Sequence, residues 1–288
     1  MTTSQRNYDY LHEKLALGIT FEDAAREREP VCPVRAEIEY GIPHRLPEPK
    51  NFYRYQVNKG KPAQALLRHD SGRYSVVYYP SLDDSIDVRF YDYQRCYVPR
   101  RLRIPILSRA ALQAIEDAEN PDYMTGRQRH IAMYPGSAYH HESRVTGLRG
   151  RIVRNGQPMR WAHVTLTNLA GTQTISHTRG DDRGEFLLLL PSHAFQASDL
   201  INSFDLRVSV AGPETPPQAG TPDIAQQDPF WDLPLELVPD VGNPDNVSNG
   251  ETLPAGYVIA PSSVRNVSFH IGRVLTGRDE PDFEFTLP

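Results

Sequence analysis

The sequence predicts an all-β protein made of two tandem β-sandwiches joined by a linker that contains one short helix. Three observations carry this. Short runs of alternating or β-branched residues are bounded by turn residues throughout. The 288 residues include 25 prolines, well above the usual share of about 5%, and proline ends strands and breaks helices. A turn-and-strand pattern occurs twice. The length exceeds one average domain of roughly 100–200 residues and favours two.

Residues 1–30 read as a polar N-terminal arm whose only local signal is helical, with Thr20 as N-cap and Glu22 and Asp23 in the first turn. A first sandwich is expected over 31–106. It begins with Val34, Ala36 and Ile38 on one face and Arg35, Glu37 and Glu39 on the other. Strands follow at Phe52–Val57, at Ala65–Arg68, at Tyr74–Tyr79 closed by Pro80, at Ile86–Phe90 and at Tyr97–Ile106. Asn58–Pro62 and His69–Gly72 read as turns. Ser108 caps a helix with Ala111, Leu112, Ile115 and Ala118 on one side, ended by Asn120-Pro121. The polar stretch onward to Glu142 completes an expected linker over 107–145.

The second sandwich is expected over 146–288. Leu148–Val153 and Ala162–Thr167 form a hairpin pattern around Asn155-Gly156. Strands are predicted through Ile175–Thr178, Glu185–Leu190, Phe204–Val210, Val264–Ile271 and Phe283–Leu287. A Pro-rich loop insertion occupies 211–256 and carries an apolar piece, Phe230-Trp231-Asp232-Leu233-Pro234-Leu235.

The repeated pattern is Asp70-Ser71-Gly72-Arg73-Tyr74 to Pro80, then Ile86-Asp87-Val88-Arg89-Phe90. Its counterpart is Asp182-Arg183-Gly184-Glu185-Phe186 to Pro191, then Phe204-Asp205-Leu206-Arg207-Val208. Matched order and polarity point to duplication of one domain. Gly supplies the positive φ of the turn, the aromatic two residues on fills the core, and the Asp-Arg alternation is expected to face solvent. The second copy, with Leu148–Val153, Gly156-Gln157-Pro158, Ala162–Leu166, Thr178 and Asp182–Phe186, resembles the carboxypeptidase regulatory-like, transthyretin-like β-sandwich family. That resemblance implies sandwiches of immunoglobulin-like or transthyretin-like type, which usually accompany other modules as folding or binding units, and it implies architecture far more than activity.

A net charge of −5 provides no general field to attract nucleic acid or an anionic membrane, and no run of 18 apolar residues could span a bilayer. The N-terminus lacks a secretory pattern, so a cytoplasmic setting with two reduced thiols is expected. Cys32 and Cys96 are the only cysteines, and a single bridge between them stays open. The sequons at Asn246 and Asn266 then carry no weight.

Catalytic readings find little support. His193 and His270 are isolated and no Arg-x-His-x-His motif follows the repeat, unlike intradiol dioxygenases. The tail Phe283–Pro288 is unlike that of the hydroxyisourate hydrolases. Tyr139-His140-His141-Glu142 has no partner at ligand spacing, and the acid pairs Asp83-Asp84 and Asp181-Asp182 suit backbone-capping turns. No catalytic residue, metal or cofactor is assigned. The expected role is that of a structural or adaptor protein that binds partner proteins, by analogy within an assembly such as a phage-tail-like or contractile injection particle, with homo-oligomers open. Interface candidates are Phe230, Trp231, Leu233 and Leu235, and the basic cluster Arg95, Arg100, Arg101 and Arg103, whose plainer role is a solvated strand face. A sugar-stacking platform of Trp161, Trp231, Tyr74, Tyr78, Tyr79, Tyr91, Tyr93 and Tyr97 is the alternative, and a metal-dependent enzyme on the sandwich is the remaining one.

Overall fold

A computed structural model describes residues 14–39, 66–78, 82–118, 127–191, 202–219, 228–240 and 243–287. The expected strand at 52–57, the turn at 58–62, Tyr79, Pro80 and His193 lie outside them. The protein is mostly β, as expected, with one α-helix among the described residues. In chain order the elements are β1 (Leu15–Asp23), β2 (Arg35–Glu39), β3 (Leu67–Arg68), β4 (Tyr74–Val77), β5 (Ser85–Tyr91), β6 (Arg100–Pro105), α1 (Arg109–Asp117) and β7 (Gln128–Met133). They continue with β8 (Gly147–Arg154), β9 (Gln157–Pro158), β10 (His163–Thr167), β11 (Thr174–Arg179), β12 (Glu185–Leu189) and β13 (Ser203–Pro213). The last are β14 (Leu235–Leu237), β15 (Tyr257–Ile259), β16 (Arg265–His270), β17 (Val274–Leu275) and β18 (Phe283–Glu284).

Two pairs of sheets each enclose an apolar core. In the first pair the strand orders are β3-β4-β1-β7 and β14-β6-β5-β2; in the second, β12-β8-β17 with β9 and β18 also on β8, and β11-β10-β13-β15 with β16 on β13. The pairing follows one scheme in both. β1 lies between antiparallel β4 and parallel β7, as β8 lies between antiparallel β12 and parallel β17. Likewise β5 lies between antiparallel β2 and β6, as β13 lies between β10 and β16. The two turn glycines behave alike as well: Gly72 has φ 79° and Gly184 φ 73°, and Tyr74 and Phe186, two residues later, are buried in the first and second cores respectively.

Several local expectations change in three dimensions. Thr20 begins no helix: it lies within β1, a strand hydrogen-bonded on both sides. The alternation of Leu17 and Ile19, both buried in the first core, outweighs the weak capping signal. The stretch before Glu142 contains β7, paired with β1, so residues 128–133 of the expected linker belong to the first sheet. The helix itself forms as expected, with the Ser108 hydroxyl accepting from the Ala111 N–H. β8 makes its hairpin with the two-residue β9 across Asn155-Gly156, both at positive φ, while β10 crosses to the other sheet.

Two elements join the halves. β12 is apolar on consecutive residues because both of its faces are buried. Leu187 and Leu189 enter the first core, whereas Phe186, Leu188 and Leu190 enter the second. The supposed loop insertion starts as the end of β13 and later supplies β14, which adds in parallel to β6 of the first half. Cys32 and Cys96 are bonded, with Cα atoms 6.4 Å apart, which replaces the expectation of reduced thiols; such bonds persist in oxidising compartments.

The two turn glycines separate backbone strain from packing. At Gly72 a Cβ meets nothing within 4 Å, whereas at Gly184 it would lie 2.5 Å from the Ile152 carbonyl oxygen. In urea titrations Gly72→Ala is expected to cost about 1 kcal/mol, the left-handed penalty alone, and Gly184→Ala at least about 3 kcal/mol, since backbone must move.

Candidate functional site: a cleft where the halves meet

The halves are held in register by a buried ionic cluster. Glu236, the middle residue of β14, accepts from Nε and Nη2 of Arg100 on β6 at 3.2 and 2.7 Å. It also accepts from Nη1 and Nη2 of Arg179 on β11 at 2.6 and 2.7 Å. Arg100 is fully buried; its Nη1 also donates to the carbonyls of Ala132 and Ser248, and its Nη2 to that of Val247. Burial by itself would raise the Glu236 carboxyl, but the two guanidiniums outweigh it and hold it at about 2. Both guanidiniums stack on the Tyr134 ring, 5.9 and 5.3 Å from its centroid. The Tyr134 hydroxyl donates to the Asn249 carbonyl at 2.5 Å, and a Cβ on Gly250 would overlap that hydroxyl.

Beside this cluster His163 and His177 stack with centroids 5.6 Å apart. His163 Nε2 lies 3.0 Å from the Gly250 carbonyl oxygen, a contact that requires the ring N–H there. Burial, reinforced by the Arg179 charge, lowers His163 to about 3 from the model-peptide value of 6.5; His177 is lowered for the same reasons.

A cleft of about 470 Å³ opens along the junction. One wall is the loop after β5, fixed from several sides. The Asp92 carboxylate accepts the N–H groups of Cys96 and Tyr97 at 3.2 and 2.7 Å. Cys96 is bonded to Cys32. The Tyr97 hydroxyl donates to buried Asp23 at 2.9 Å and accepts from the Val31 N–H at 2.9 Å; burial and then the Asp23 charge raise its pKa. Arg95 stands in this loop at φ 59°. The Gly136 N–H donates to the Cys96 carbonyl at 2.7 Å, and a Cβ at Gly136 would lie 2.6 Å from the Arg95 carbonyl oxygen. The facing wall comes from the second half. Trp161, at φ 58°, donates its indole N–H to Asp232 at 2.7 Å, and the Asp181 carboxylate accepts the N–H groups of Arg183 and Glu185. Phe230 closes the end, with ring centroids 5.5 Å from Tyr91 and 6.2 Å from Trp161.

The cleft is aromatic with an acidic rim. Tyr91, Tyr93, Tyr97, Trp161 and Phe230 line it together with Glu37, Asp92, Asp181 and Asp182. The Tyr91 hydroxyl donates to Glu37 at 2.5 Å, and burial followed by this bond raises its pKa. The two cations present already have acids: Arg89 is held by Glu39 and by Asp228 at 2.7 Å, and Arg95 reaches Asp182 at 3.1 Å across the junction. Tyr93 is the most exposed large apolar side chain among the described residues, at 69%.

The expected basic cluster does not form a patch. Arg100 is interior, Arg101 pairs with Glu39 at 2.7 Å, Arg103 with Asp87 at 2.7 Å, and Arg95 with Asp182. Arg89, expected on a solvated face, is buried and pairs with Glu39 and Asp228. The apolar candidates dock on their own chain. Leu233 is buried against Val98 and Trp161, Leu235 pairs with Arg101 at the sheet edge, and Phe230, Trp231 and Leu235 are half-buried. Tyr74 and Tyr78 are core residues of the first half. Tyr139 is buried with its hydroxyl on Asp23, while His140 is exposed and His141 contacts its neighbour Glu142. No group of three or more His, Cys, Asp or Glu side chains suited to a metal occurs among the described residues, and no helix among them is long and apolar enough to cross a membrane.

Sequence reading missed Glu236 and Asp92, and gave Asp182 and Glu37 no binding role. The available signal for Glu236 was a lone acid inside the apolar run Leu233–Val238, since a charge in such a run is either at an edge or paired. No family model, curated protein or solved structure matches the chain, so the class that can be stated is an all-β, sandwich-like protein with a junction cleft.

Replacing Glu236 by Gln leaves two buried guanidiniums sharing a neutral amide, and is expected to destabilise the fold by about 3–5 kcal/mol in urea titrations. Acid should act on the same region. A histidine lowered in the folded state binds its proton in the unfolded chain first, so its stabilisation is complete above the unfolded value of 6.5 and is lost as pH falls from there toward about 3. Glu236 adds loss in the same direction between 4.5 and about 2. Stability measured at pH 7 and pH 5 should differ by about 2 kcal/mol through His163, and His163→Asn should flatten that limb.

Proposed function

We propose that this protein is a non-enzymatic structural or adaptor component that docks partner proteins at the cleft between two duplicated sandwiches held in one orientation. The observation that carries this is the Arg100–Glu236–Arg179 cluster, which joins β6, β14 and β11 through fully desolvated charges. Such a cluster contributes more to a single arrangement than to stability. A fixed arrangement suits a part that presents a surface. The exposed aromatic Tyr93, the half-buried Phe230 and the positive-φ backbone at Arg95 and Trp161 support a docking surface at the junction.

The shared pairing scheme supports duplication, and the resemblance of the second half to the carboxypeptidase regulatory-like, transthyretin-like family fits a binding unit. Membership of a large particle such as a phage-tail-like or contractile injection assembly extends the proposal by analogy. Assembly in the cytoplasm belongs to it too, with the Cys32–Cys96 bond closing once the protein meets an oxidising setting.

A carbohydrate-binding role is the second reading. Tyr91, Tyr93, Tyr97 and Trp161 line one cleft, and stacked aromatics with acidic acceptors also suit sugars. A photo-crosslinking phenylalanine analogue at position 93, introduced in the native cells, separates the two. A discrete protein adduct at 93 that is absent from the same analogue at exposed Leu169 is the expected result. Binding on a glycan array with no protein adduct would favour the sugar.

A further inference from the structure

We infer that the junction cleft receives an arginine or lysine side chain from an extended segment of the partner protein, and that Arg95 holds this cation subsite until the partner arrives. The inference rests on the docking role proposed above and names the chemistry of the occupant. Among the described residues, Glu37 and Asp92 face the cleft without a cationic partner: Glu37 is met by the Tyr91 hydroxyl and Asp92 by two backbone N–H groups. With Asp181 and Asp182 they make a rim of four carboxylates around five aromatic rings. Rings combined with carboxylates in a partly desolvated recess select a cation, by ring quadrupole and by charge. The molecule itself shows what these rings take. The Arg35 guanidinium lies 4.4 Å from the Tyr93 ring centroid, and Arg160 lies 5.2 Å from that of Trp161.

Arg95, paired with Asp182 on the rim, is the cation best placed to be displaced. Its contact with Asp182 is long, at 3.1 and 3.3 Å, and its side chain is 52% exposed, so the pair holds it weakly. Its backbone, by contrast, is fixed by the Ala138 N–H at 3.1 Å and by the neighbouring disulfide. The side chain can therefore swing out while the wall stays in place. An incoming guanidinium would then find Asp182, Glu37 and Asp92 around the aromatic floor. A partner with an acidic surface would use Arg95 in the opposite way, as a direct contact.

Calorimetric titration of the full-length protein decides between these. The probes are a short uncharged Gly/Ser peptide with one central arginine, the same peptide with citrulline, which keeps the shape and lacks the charge, and the same peptide with glutamate. The arginine peptide is expected to bind about tenfold more tightly than the citrulline peptide, with no binding of the glutamate peptide. Arg95→Gln should tighten the arginine peptide about threefold to tenfold, and Glu37→Gln and exposed Tyr93→Ala should each weaken it about fivefold. Equal binding of arginine and citrulline, no binding of either, or weakening in Arg95→Gln overturns the inference. If the protein adduct at position 93 persists in that case, the docking role stands with an occupant of other chemistry; if the adduct is also absent, both readings fall.

Discussion

The Glu236 carboxylate, shared between Arg100 and Arg179, is the contact on which the joined architecture depends. Arg100 belongs to the first half, Arg179 to the second, and Glu236 to a segment that leaves the second half to become an edge strand of the first. A lone charge at any of the three places would be costly to desolvate. Together they satisfy one another, and the spare guanidinium hydrogens of Arg100 reach the carbonyls of residues 132, 247 and 248. The geometry admits one register of β14 on β6. One residue of slip would turn Glu236 outward and exposed Leu237 inward.

That register sets the cleft. Asp228 and Phe230 precede β14 by a few residues, so a fixed strand fixes where Asp228 meets Arg89 and where the Phe230 ring lies against Tyr91 and Trp161. β12 does the same for the facing side, because burial of both its faces leaves no freedom for one core to move without the other. The loop after β5 is held by a different set of contacts, through the Cys32–Cys96 bond, the Asp92 cap and the Tyr97–Asp23 hydrogen bond. A rigid recess thus forms from elements scattered along the chain.

The acidic character of the recess also follows from how charges are distributed. Most arginines near the junction are drawn inward or sideways to form pairs, those of the cluster at 95–103 included. What remains at the opening are Glu37, met by a tyrosine hydroxyl, Asp92 and Asp181, met by backbone N–H groups, and Asp182, paired with Arg95. Such groups are fixed in position, a preorganised arrangement of the kind the proposed cation would meet.

The sequence by itself determined the class of the fold, most strand positions, the capped helix and the two Gly-centred turns. Each of these depends on neighbours within a few residues, through alternation, turn chemistry or capping, and such signals are complete in a short window. The Gly72 and Gly184 conformations and the burial of Tyr74 and Phe186 were legible for that reason. The tertiary structure alone decided that Thr20 lies in a strand, that 128–133 belongs to the first sheet, that 235–237 crosses between halves, and which charges meet. Arg100 and Glu236 are separated by 136 positions, and Arg89 and Asp228 by 139. A charged residue carries no local mark of its partner, because Coulomb attraction in a desolvated interior depends on where the chain folds and not on its order along the sequence.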